Sequence, residues 1–432
     1  MFVSDCLNIG ASGHLTIGGA DTVNLAQKYG TPLYVMDENQ IIKNYQNYAD
    51  SIEKYYDGNG NVIFASKAFL CKEICRIINR LGGWLDVVSD GELYTALSAE
   101  FPAEKIVYHG NNKTVTELTM ALENNVGRIV VDNVFELEIL NSLASSMGKI
   151  QKIMYRIKPG IDPETHSFVR TGQIDSKFGF ALQNDEAKNA VKQAIDLKNV
   201  DLVGIHCHIG SQIFDISPFK QAVEVMINFM SEIKNDFDYE ISELNLGGGI
   251  AIRYVDSDDK IEYQSCMQEI FDAVKKCASE KGIKLPHIFI EPGRSMVGNA
   301  GITLYTVGGI KNIPGIRTYV SVDGGMTDNP RYALYSSEYT ALIANRANEA
   351  RDQSITIAGK CCESGDLIGE NMPIQTPKVG DTLAVLSTGA YNFSMASNYN
   401  RIPRPAVVFV KDGQDRLAVK RQSYEDLVRN DL

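Results

Sequence analysis

The sequence predicts an α/β protein built from a (β/α)8 barrel and a second, mostly β domain. Two observations support this fold class. Eight short apolar runs alternate with helical stretches between residues 62 and 294. After residue 300, β-rich runs follow one another without helices between them. A doubly wound open sheet is the alternative for the first part, because it also alternates strands with helices.

The eight runs have the length and the β-branched or aromatic content of buried strands. In chain order they occupy residues 62–69, 84–89, 105–111, 128–133, 152–160, 202–210, 243–249 and 287–294. Nearly every run ends in polar residues or glycine. The carboxyl ends of barrel strands share one face, where barrel enzymes build their sites, so these ends predict a functional site.

The second domain is predicted from the β-rich runs that start at residue 301, such as GITLYTVGGIKNI and PAVVFVKDG. SITIAGKCCESGDLI is another of these runs. Two strand-like runs before the barrel, HLTIGGADTV and TPLYVMDENQ, can join this domain. We therefore expect a barrel over residues 39–298 and a discontinuous β-rich domain from residues 1–38 and 299–432.

Composition and charge narrow the function. The chain has 432 residues, with 42 Lys and Arg against 54 Asp and Glu, and a formal charge of -12. This balance argues against a nucleic-acid or anionic-membrane surface and makes a small molecule the expected partner. We find no secretory signal and no apolar run near the roughly 18 residues of a membrane span, so we expect a cytoplasmic protein.

The eight cysteines do not suggest a disulfide framework, because they are scattered and two of them, Cys361 and Cys362, are adjacent. Cys71 and Cys75, four residues apart on a predicted helix, are expected to be buried thiols rather than metal ligands. The run LVGIHCHIG places His206 and His208 together on the inward face of a strand. Two such histidines can bind a metal, but we expect none, because neighbouring strand ends supply no cysteine or third histidine.

A lysine in the run FASKAFL suggests a specific chemistry. Strand alternation puts Lys67 on one face with Ile63 and Ala65, so we expect a buried lysine at the end of a barrel strand. With a GGG turn at 247–249 and the carboxylate of Glu291, this is what a Schiff base with pyridoxal phosphate requires. Desolvation lowers the pKa of such an amine and makes it a nucleophile.

The order of ten motifs resembles that of the diaminopimelate decarboxylases, which have the alanine racemase and ornithine decarboxylase fold type. The motifs are FASKAF, VVSDGEL, HGNNKT, RIKPGIDPETHSFVRTGQIDSKFGF, GIHCHIGSQI, LNLGGG, EPGRS, VDGGMTDNPRYALY, CESGDLI and GAYNFSMASNYNRIPRP. The last two resemble this family rather than the wider group. Phe69 and Asp90 differ from the family's usual asparagine and glycine.

The resemblance implies roles for individual residues. Lys67 would carry pyridoxal 5'-phosphate covalently, Glu291 would face the pyridine nitrogen and His208 would stack on the ring. The implied phosphate-binding residues are Ser211, Gly249, Gly293, Arg294 and Tyr391. The implied substrate-binding residues are Arg294, Arg331, Tyr335, Glu363 and Tyr391. Cys362 would be the proton donor and Glu363 would bind the distal ammonium of the substrate. Both residues would enter from the partner subunit of a homodimer. The β-rich domain would therefore contribute to the active site and to the dimer interface.

The resemblance implies decarboxylation of meso-2,6-diaminopimelate to L-lysine and carbon dioxide, the last step of lysine biosynthesis. Two arginines suit a substrate with a carboxylate at each end, because a guanidinium binds a carboxylate in bidentate fashion. Without the motifs, the favoured interpretation of Arg294 and Arg331 would be that they form ordinary surface ion pairs. Two other functions stay open: decarboxylation of ornithine, arginine or a carboxy-polyamine, and binding of a partner protein by a non-catalytic homologue.

Overall fold

The structure is a computed structural model that describes residues 2–161 and 176–432. The chain forms two compact units. The barrel unit comprises Tyr45–Ala251 and Ile261–Gly293, and the β unit comprises Met1–Asn44, Ile252–Lys260 and Arg294–Leu432. Residues 252–260 thus group with the β unit although the predicted barrel of 39–298 includes them. The predicted domain boundaries themselves stay a prediction.

The amino-terminal part of the β unit contains four strands. They are β1 (Leu7–Ile9), β2 (Leu15–Ile17), β3 (Ala20–Asp21) and β4 (Leu33–Asp37). The first three form a small antiparallel sheet. Helix α1 (Thr22–Tyr29) follows β3 and starts there because the Asp21 carboxylate accepts hydrogen bonds from the first free N–H groups of the helix. Helix α2 (Glu38–Tyr55) follows β4.

The barrel unit contains eight parallel strands, one from each predicted run. They are β5 (Gly60–Ala65), β6 (Trp84–Val87), β7 (Ile106–Tyr108), β8 (Arg128–Val131), β9 (Gln151–Lys158), β11 (Val200–His206), β12 (Glu243–Asn245) and β13 (His287–Ile290). A two-residue strand, β10 (Phe180–Ala181), extends the end of β9. Strand β8 pairs with β9, and β13 pairs with β5, so the sheet closes on itself. The barrel prediction is confirmed and the open sheet is excluded.

Helices separate most of the barrel strands. They are α3 (Lys72–Arg80), α4 (Asp90–Leu97), α5 (Val115–Glu123), α6 (Val134–Ser146), α7 (Glu186–Asp196), α8 (Ser217–Phe237) and α9 (Tyr263–Lys281). Three of them begin at a polar residue of the loop that follows a strand. Ser89, Thr114 and Asn133 each accept a hydrogen bond from a main-chain N–H in the first turn.

Apolar side chains fill the interior of the barrel. Ile63, Val107, Val130, Met154 and Phe289 form one buried cluster, with Trp84 packed against it. At this cluster the guanidinium of Arg128 stacks on Trp84 at 4.8 Å and pairs with Glu243 at 2.5 Å. The interior is therefore a packed core, and polar chemistry is left to the strand ends.

The β unit continues with eight strands after the barrel. They are β14 (Gly301–Ile313), β15 (Arg317–Val322), β16 (Ala341–Ile343), β17 (Gln353–Ala358), β18 (Leu367–Ile374), β19 (Thr382–Val385), β20 (Ala406–Lys411) and β21 (Gln414–Val419). Three short helices, α10 (Arg294–Val297), α11 (Arg331–Tyr335) and α12 (Tyr424–Val428), also lie in this unit. Strand β4 pairs with β14 on one side and β20 on the other, so the predicted discontinuity is confirmed.

One of the predicted β-rich runs contains a loop. The run at 354–368 forms two antiparallel strands, β17 and β18, with a loop at residues 359–366 between them. The chain turns there because Gly359 has its backbone against the buried carboxylate of Asp366, where no side chain fits. The loop carries the CESGD motif.

The segment 252–260 joins the β unit through its apolar side chains. Ile252 and Tyr254 pack in one buried cluster with Tyr305, Tyr339 and Leu383, among others.

Among the described helices, none combines the length and apolar character needed to cross a lipid bilayer.

Candidate active site

Glu291 follows strand β13 and is the centre of a buried polar network in the barrel unit. Its Oε1 lies 2.8 Å from His109 Nε2 and accepts a hydrogen bond from Asn245 Nδ2 at 2.8 Å. Its Oε2 lies 3.2 Å from His206 Nε2. Burial alone would raise the pKa of Glu291, but the two histidines lower it well below its usual range. The carboxylate is thus held ionised.

His206 in this network is neutral. Burial lowers its pKa to about 3, although the neighbouring Glu291 opposes that shift. Its Nδ1 is buried and has no hydrogen-bond partner within the described residues. A proton on Nδ1 would therefore be unsatisfied, so the ring donates through Nε2 only.

One part of the metal prediction rested on a wrong premise. A third histidine does lie at a neighbouring strand end, because His109 follows β7 and its ring packs edge to face on His206 at 4.7 Å. Possible ligand atoms of His109, His206 and Glu291 lie within 4.8 Å of one another. In this structure the two histidines each form a hydrogen bond with Glu291.

The predicted helical cysteines are buried thiols. Burial raises the pKa of the Cys71 thiol to about 11 and of the Cys75 thiol to about 12, which keeps both protonated.

Lys67 lies differently from the prediction. A short 3-10 turn over Ser66–Ala68 follows β5, so Lys67 leaves the strand and its side chain is exposed rather than buried. The neighbouring Ser66 is held in place by Glu92. The Ser66 hydroxyl donates a hydrogen bond to Glu92 Oε2 at 2.7 Å, and Glu92 Oε2 also accepts a hydrogen bond from the N–H of Val88 at 2.8 Å. Lys67 is therefore an amine on a fixed turn at a strand end.

Asp86 on β6 is a buried carboxyl group that sequence reasoning missed. Its Oδ1 has no hydrogen-bond partner within the part of the chain that the structure describes. Burial raises its pKa to about 6, and the ammonium of Lys67 partly offsets that rise. The barrel unit thus holds a buried carboxyl group near Lys67 whose pKa is raised.

The GGG turn lies against the segment that carries His208. A side chain at Gly247 would meet the ring and Cβ of His208 at about 3 Å, and one at Gly249 would meet the carbonyl of Gly210 at 2.3 Å. Gly247 and Gly249 also have positive φ angles of 64° and 125°. Glycine is therefore required for main-chain packing here. Burial and the nearby cations Lys67 and Arg156 lower the pKa of His208 well below its usual range, so this imidazole is also neutral.

Two buried arginines in the β unit share one phenol. Arg294 Nη1 donates to the Tyr254 hydroxyl at 2.5 Å and Arg331 Nη1 donates to the same oxygen at 3.0 Å. Arg331 also donates to the Tyr339 hydroxyl at 3.0 Å. Each arginine is only 6% exposed, which excludes the surface ion-pair alternative for both. Tyr391, with a strained φ of 63°, places its ring 4.9 Å from the Arg294 guanidinium.

The CESGD loop presents Cys362 and Glu363 to solvent and is anchored by Asp366. One oxygen of Asp366 accepts the N–H of Met326 at 2.6 Å, and the other accepts the N–H of Cys361 at 2.7 Å. Cys362 is exposed, whereas Cys361 is buried and burial raises its pKa to about 11. Of the two thiols, Cys362 is therefore the accessible one.

The remaining predicted residues lie as follows. Ser211 and Tyr335 are half-buried, and a side chain at Gly293 would meet Ala65 and Ala68 at about 3 Å. Asp90 is the first residue of α4 and Phe69 is extended, so neither position needs glycine-like backbone angles. Residues 162–175, the middle of the fourth motif, lie outside the described residues.

Known proteins resemble this chain over its full length. Residues 38–298 match the family "Pyridoxal-dependent decarboxylase, pyridoxal binding domain". The diaminopimelate decarboxylase of Bacillus subtilis (strain 168) is 48% identical over 435 residues, which cover 100% of this chain and 98% of that protein. The chain belongs to the diaminopimelate decarboxylase family.

Solved structures agree with this family membership. The crystal structure of diaminopimelate decarboxylase from M. jannaschii in co-complex with L-lysine is similar with a TM-score of 0.93 and 36% identity, covering 100% of this chain and 99% of that one. The enzyme from Helicobacter pylori complexed with L-lysine gives a TM-score of 0.86 at 28% identity, over 95% and 98% of the two chains.

The residues of the barrel unit fit pyridoxal 5'-phosphate, the cofactor of this family. A carboxylate has about four lone-pair positions. Glu291 uses three of them for His109, His206 and Asn245, which leaves one on Oε2 for a pyridine N–H. Lys67 supplies an accessible amine, and the neutral ring of His208 can stack on an aromatic group. The donor set therefore suits a pyridine ring with a protonated nitrogen.

Several partners of the predicted site residues were not predicted from the sequence. His109 and Asn245 were visible as polar residues at strand ends, but nothing in the sequence pairs them with Glu291. Tyr254 and Tyr339 follow no motif spacing. Their contacts with the arginines depend on the packing of segment 252–260 within the β unit.

Proposed function

We propose that this chain decarboxylates meso-2,6-diaminopimelate to L-lysine and carbon dioxide. The names of similar family members, which are diaminopimelate decarboxylases, support this proposal. The observation that carries the substrate class is the buried pair Arg294 and Arg331. Two guanidiniums suit a carboxylate at the distal end of the substrate. Ornithine and arginine present a cation there, which such a pair would repel.

Bound pyridoxal phosphate supplies an electron-withdrawing ring that stabilises the negative charge left when carbon dioxide departs. For this chain we propose that Lys67 holds the cofactor and exchanges it with the substrate amine. Glu291 keeps the pyridine nitrogen protonated, because its own charge is stabilised by His109 and His206. His208 covers one face of the ring and excludes water there.

We assign the remaining groups to phosphate and substrate. The proposed phosphate-binding groups are Ser211, Gly249, Gly293, Arg294 and Tyr391. For the substrate, Arg294 and Arg331 bind the distal carboxylate, with Tyr335 and Tyr391 beside it. A guanidinium fork holds a carboxylate in one orientation, so these contacts fix the distance from the distal end to the reacting carbon.

A second copy of the chain completes the proposed site. Cys362 would deliver the proton to the carbon that loses its carboxylate, and Glu363 would bind the distal ammonium. Both side chains are exposed in the single chain, which supports this assignment. We further propose that the homodimer is cytoplasmic and acts without a nucleic-acid or membrane partner, in keeping with the net charge of -12.

The test is carbon dioxide release from the cofactor-loaded enzyme with meso-diaminopimelate, its LL isomer, ornithine, lysine and arginine. We expect meso-diaminopimelate to be the fastest substrate by a large margin. Faster turnover of ornithine would favour the basic amino-acid decarboxylase alternative. No turnover of any of the five would favour a non-catalytic homologue.

A further inference from the structure

The hydroxyl of Tyr254 lies between two buried guanidiniums. It accepts hydrogen bonds from Arg294 at 2.5 Å and from Arg331 at 3.0 Å, and Tyr254 is 5% exposed. Two cations brought together away from water repel each other. An electron-rich oxygen between them offsets this repulsion. The phenol is therefore part of what keeps both arginines in place.

The charge state of the phenol agrees with this role. Burial would raise the pKa of Tyr254, but Arg294 and Arg331 lower it below its usual range. Tyr254 donates to no acceptor among the residues that the structure describes, so its oxygen serves the two arginines alone. The Tyr339 hydroxyl also accepts a hydrogen bond from Arg331.

Tyr254 is itself rigidly held. Its N–H donates to the Asp258 carboxylate at 2.7 Å, and its carbonyl accepts a hydrogen bond from the Thr340 hydroxyl at 2.9 Å. Its ring packs edge to face on Tyr339, with centroids 5.3 Å apart. Because the oxygen position is fixed before any ligand arrives, the arginines lose little freedom when a carboxylate binds.

We propose that Tyr254 is the positioning residue that fixes Arg294 and Arg331 as a single clamp for the distal carboxylate, and so sets the preference for ligands that carry it. This proposal rests on the proposed function, in which the two arginines bind that carboxylate. Removing the oxygen lets the guanidiniums separate, so a carboxylate meets one fork instead of two. Ligands without the carboxylate are unaffected.

The test uses the cofactor-loaded enzyme and two competitive inhibitors. L-lysine retains the distal carboxylate, whereas cadaverine lacks it and is otherwise the same diamine. Tyr254→Phe keeps the ring and removes only the oxygen. Tyr56→Phe is the matched control, because Tyr56 is another fully buried phenol and donates to a main-chain carbonyl at 3.0 Å.

For Tyr254→Phe we expect the inhibition constant of L-lysine and the KM of meso-diaminopimelate to rise about tenfold or more. The inhibition constant of cadaverine should change less than twofold, and kcat should change less than KM. Cofactor absorbance should match the wild type. Tyr56→Phe should leave both inhibition constants unchanged. If Tyr254→Phe does not fold, Tyr254→Leu removes the ring together with the oxygen, and the ratio of the two inhibition constants in that variant gives the test.

Equal weakening of L-lysine and cadaverine, or no weakening of either, would overturn the proposal. Failure of the proposed function has a different signature, since wild-type enzyme would then release no carbon dioxide from meso-diaminopimelate. A wild type that decarboxylates this substrate, with an unchanged inhibitor ratio in the variant, overturns the role of Tyr254 alone.

Discussion

Lys67 lies on a short turn after a barrel strand and is exposed, and its ammonium is close enough to the buried Asp86 and His208 to shift their pKa values. From the sequence a buried ammonium is expected, because Lys67 interrupts an apolar run. The turn explains the difference: strand alternation ends at Ala65, one residue before the 3-10 segment. An accessible amine still suits covalent attachment of a cofactor, since it can reach a carbonyl group at the strand ends.

Replacing this amine should abolish attachment. After borohydride reduction, Lys67→Ala should retain no cofactor absorbance. It should also lose nearly all carbon dioxide release. Its circular dichroism spectrum should match that of the wild type. Lys72→Ala is the matched control, because Lys72 is an exposed lysine on the following helix. Borohydride fixation at another lysine, with normal turnover in Lys67→Ala, would refute the assignment.

His206 should make stability depend on pH. Its pKa falls from 6.5 to about 3 in the folded chain because of burial. The folded state therefore binds fewer protons than the unfolded state between these two values. The wild type should lose this part of its stability as pH falls below 6.5.

His206→Gln removes the group that titrates. The melting temperature of this variant should lie below that of the wild type at pH 8, because the contact with Glu291 is weakened. The difference should shrink at pH 5, where the histidine penalises folding in the wild type only. Melting curves at both pH values, recorded with equal cofactor loading, measure this. A difference that stays constant or grows towards pH 5 would contradict the neutral assignment.

At the scale of elements, the loop after β7 is held by a buried ion pair. Lys113 Nζ pairs with Glu136 Oε1 at 2.8 Å and donates to the carbonyls of Gly110 and Val130 at 2.8 and 2.6 Å. This explains the lysine of the HGNNKT motif. The pair ties the loop that carries His109 to helix α6.

Breaking the pair should be costly. Lys113→Met leaves the buried Glu136 carboxylate uncompensated, so we expect destabilisation of about 3–5 kcal/mol. Adding Glu136→Leu removes the unpaired carboxylate and should restore most of the lost stability. Denaturant titrations of the two single variants and the double variant form the cycle. A double variant no more stable than Lys113→Met would indicate that the lysine acts through its carbonyl contacts alone.

Strand positions could be predicted from sequence because a buried parallel strand has a continuous apolar signature and a polar end. All eight barrel strands follow from this pattern. The split of 354–368 into β17 and β18 could not be predicted, since it depends on a buried Asp366 packed on Gly359. Among the predicted site residues, Glu291, Arg294 and Arg331 have motif signatures. His109, Asn245 and Tyr254 reach their partners only through tertiary packing.

At the scale of the whole molecule, the proposed sharing of Cys362 between copies can be tested by complementation. A mixed dimer of Lys67→Ala and Cys362→Ala chains has one doubly damaged site and one intact site, because a two-fold interface pairs each patch with its copy. Random reassortment gives about half mixed dimers, so activity should recover to roughly a quarter of the wild-type value.

Recovery should require subunit exchange, for example by co-expression. Simple addition of the two preformed homodimers should restore little activity and serves as the control. Tagged subunits would verify that mixed dimers form. Activity equal to the sum of the two homodimers, despite confirmed mixed dimers, would show that Cys362 does not act across an interface.

The most direct test of the central claim is a mass balance on meso-diaminopimelate. Cofactor-loaded enzyme is incubated with the pure meso isomer, and carbon dioxide and L-lysine are measured in the same sample, with Lys67→Ala as the blank. We expect one L-lysine for each carbon dioxide released and neither product from the blank. Release of carbon dioxide without matching L-lysine, or no release from the loaded wild-type enzyme, would contradict the assignment.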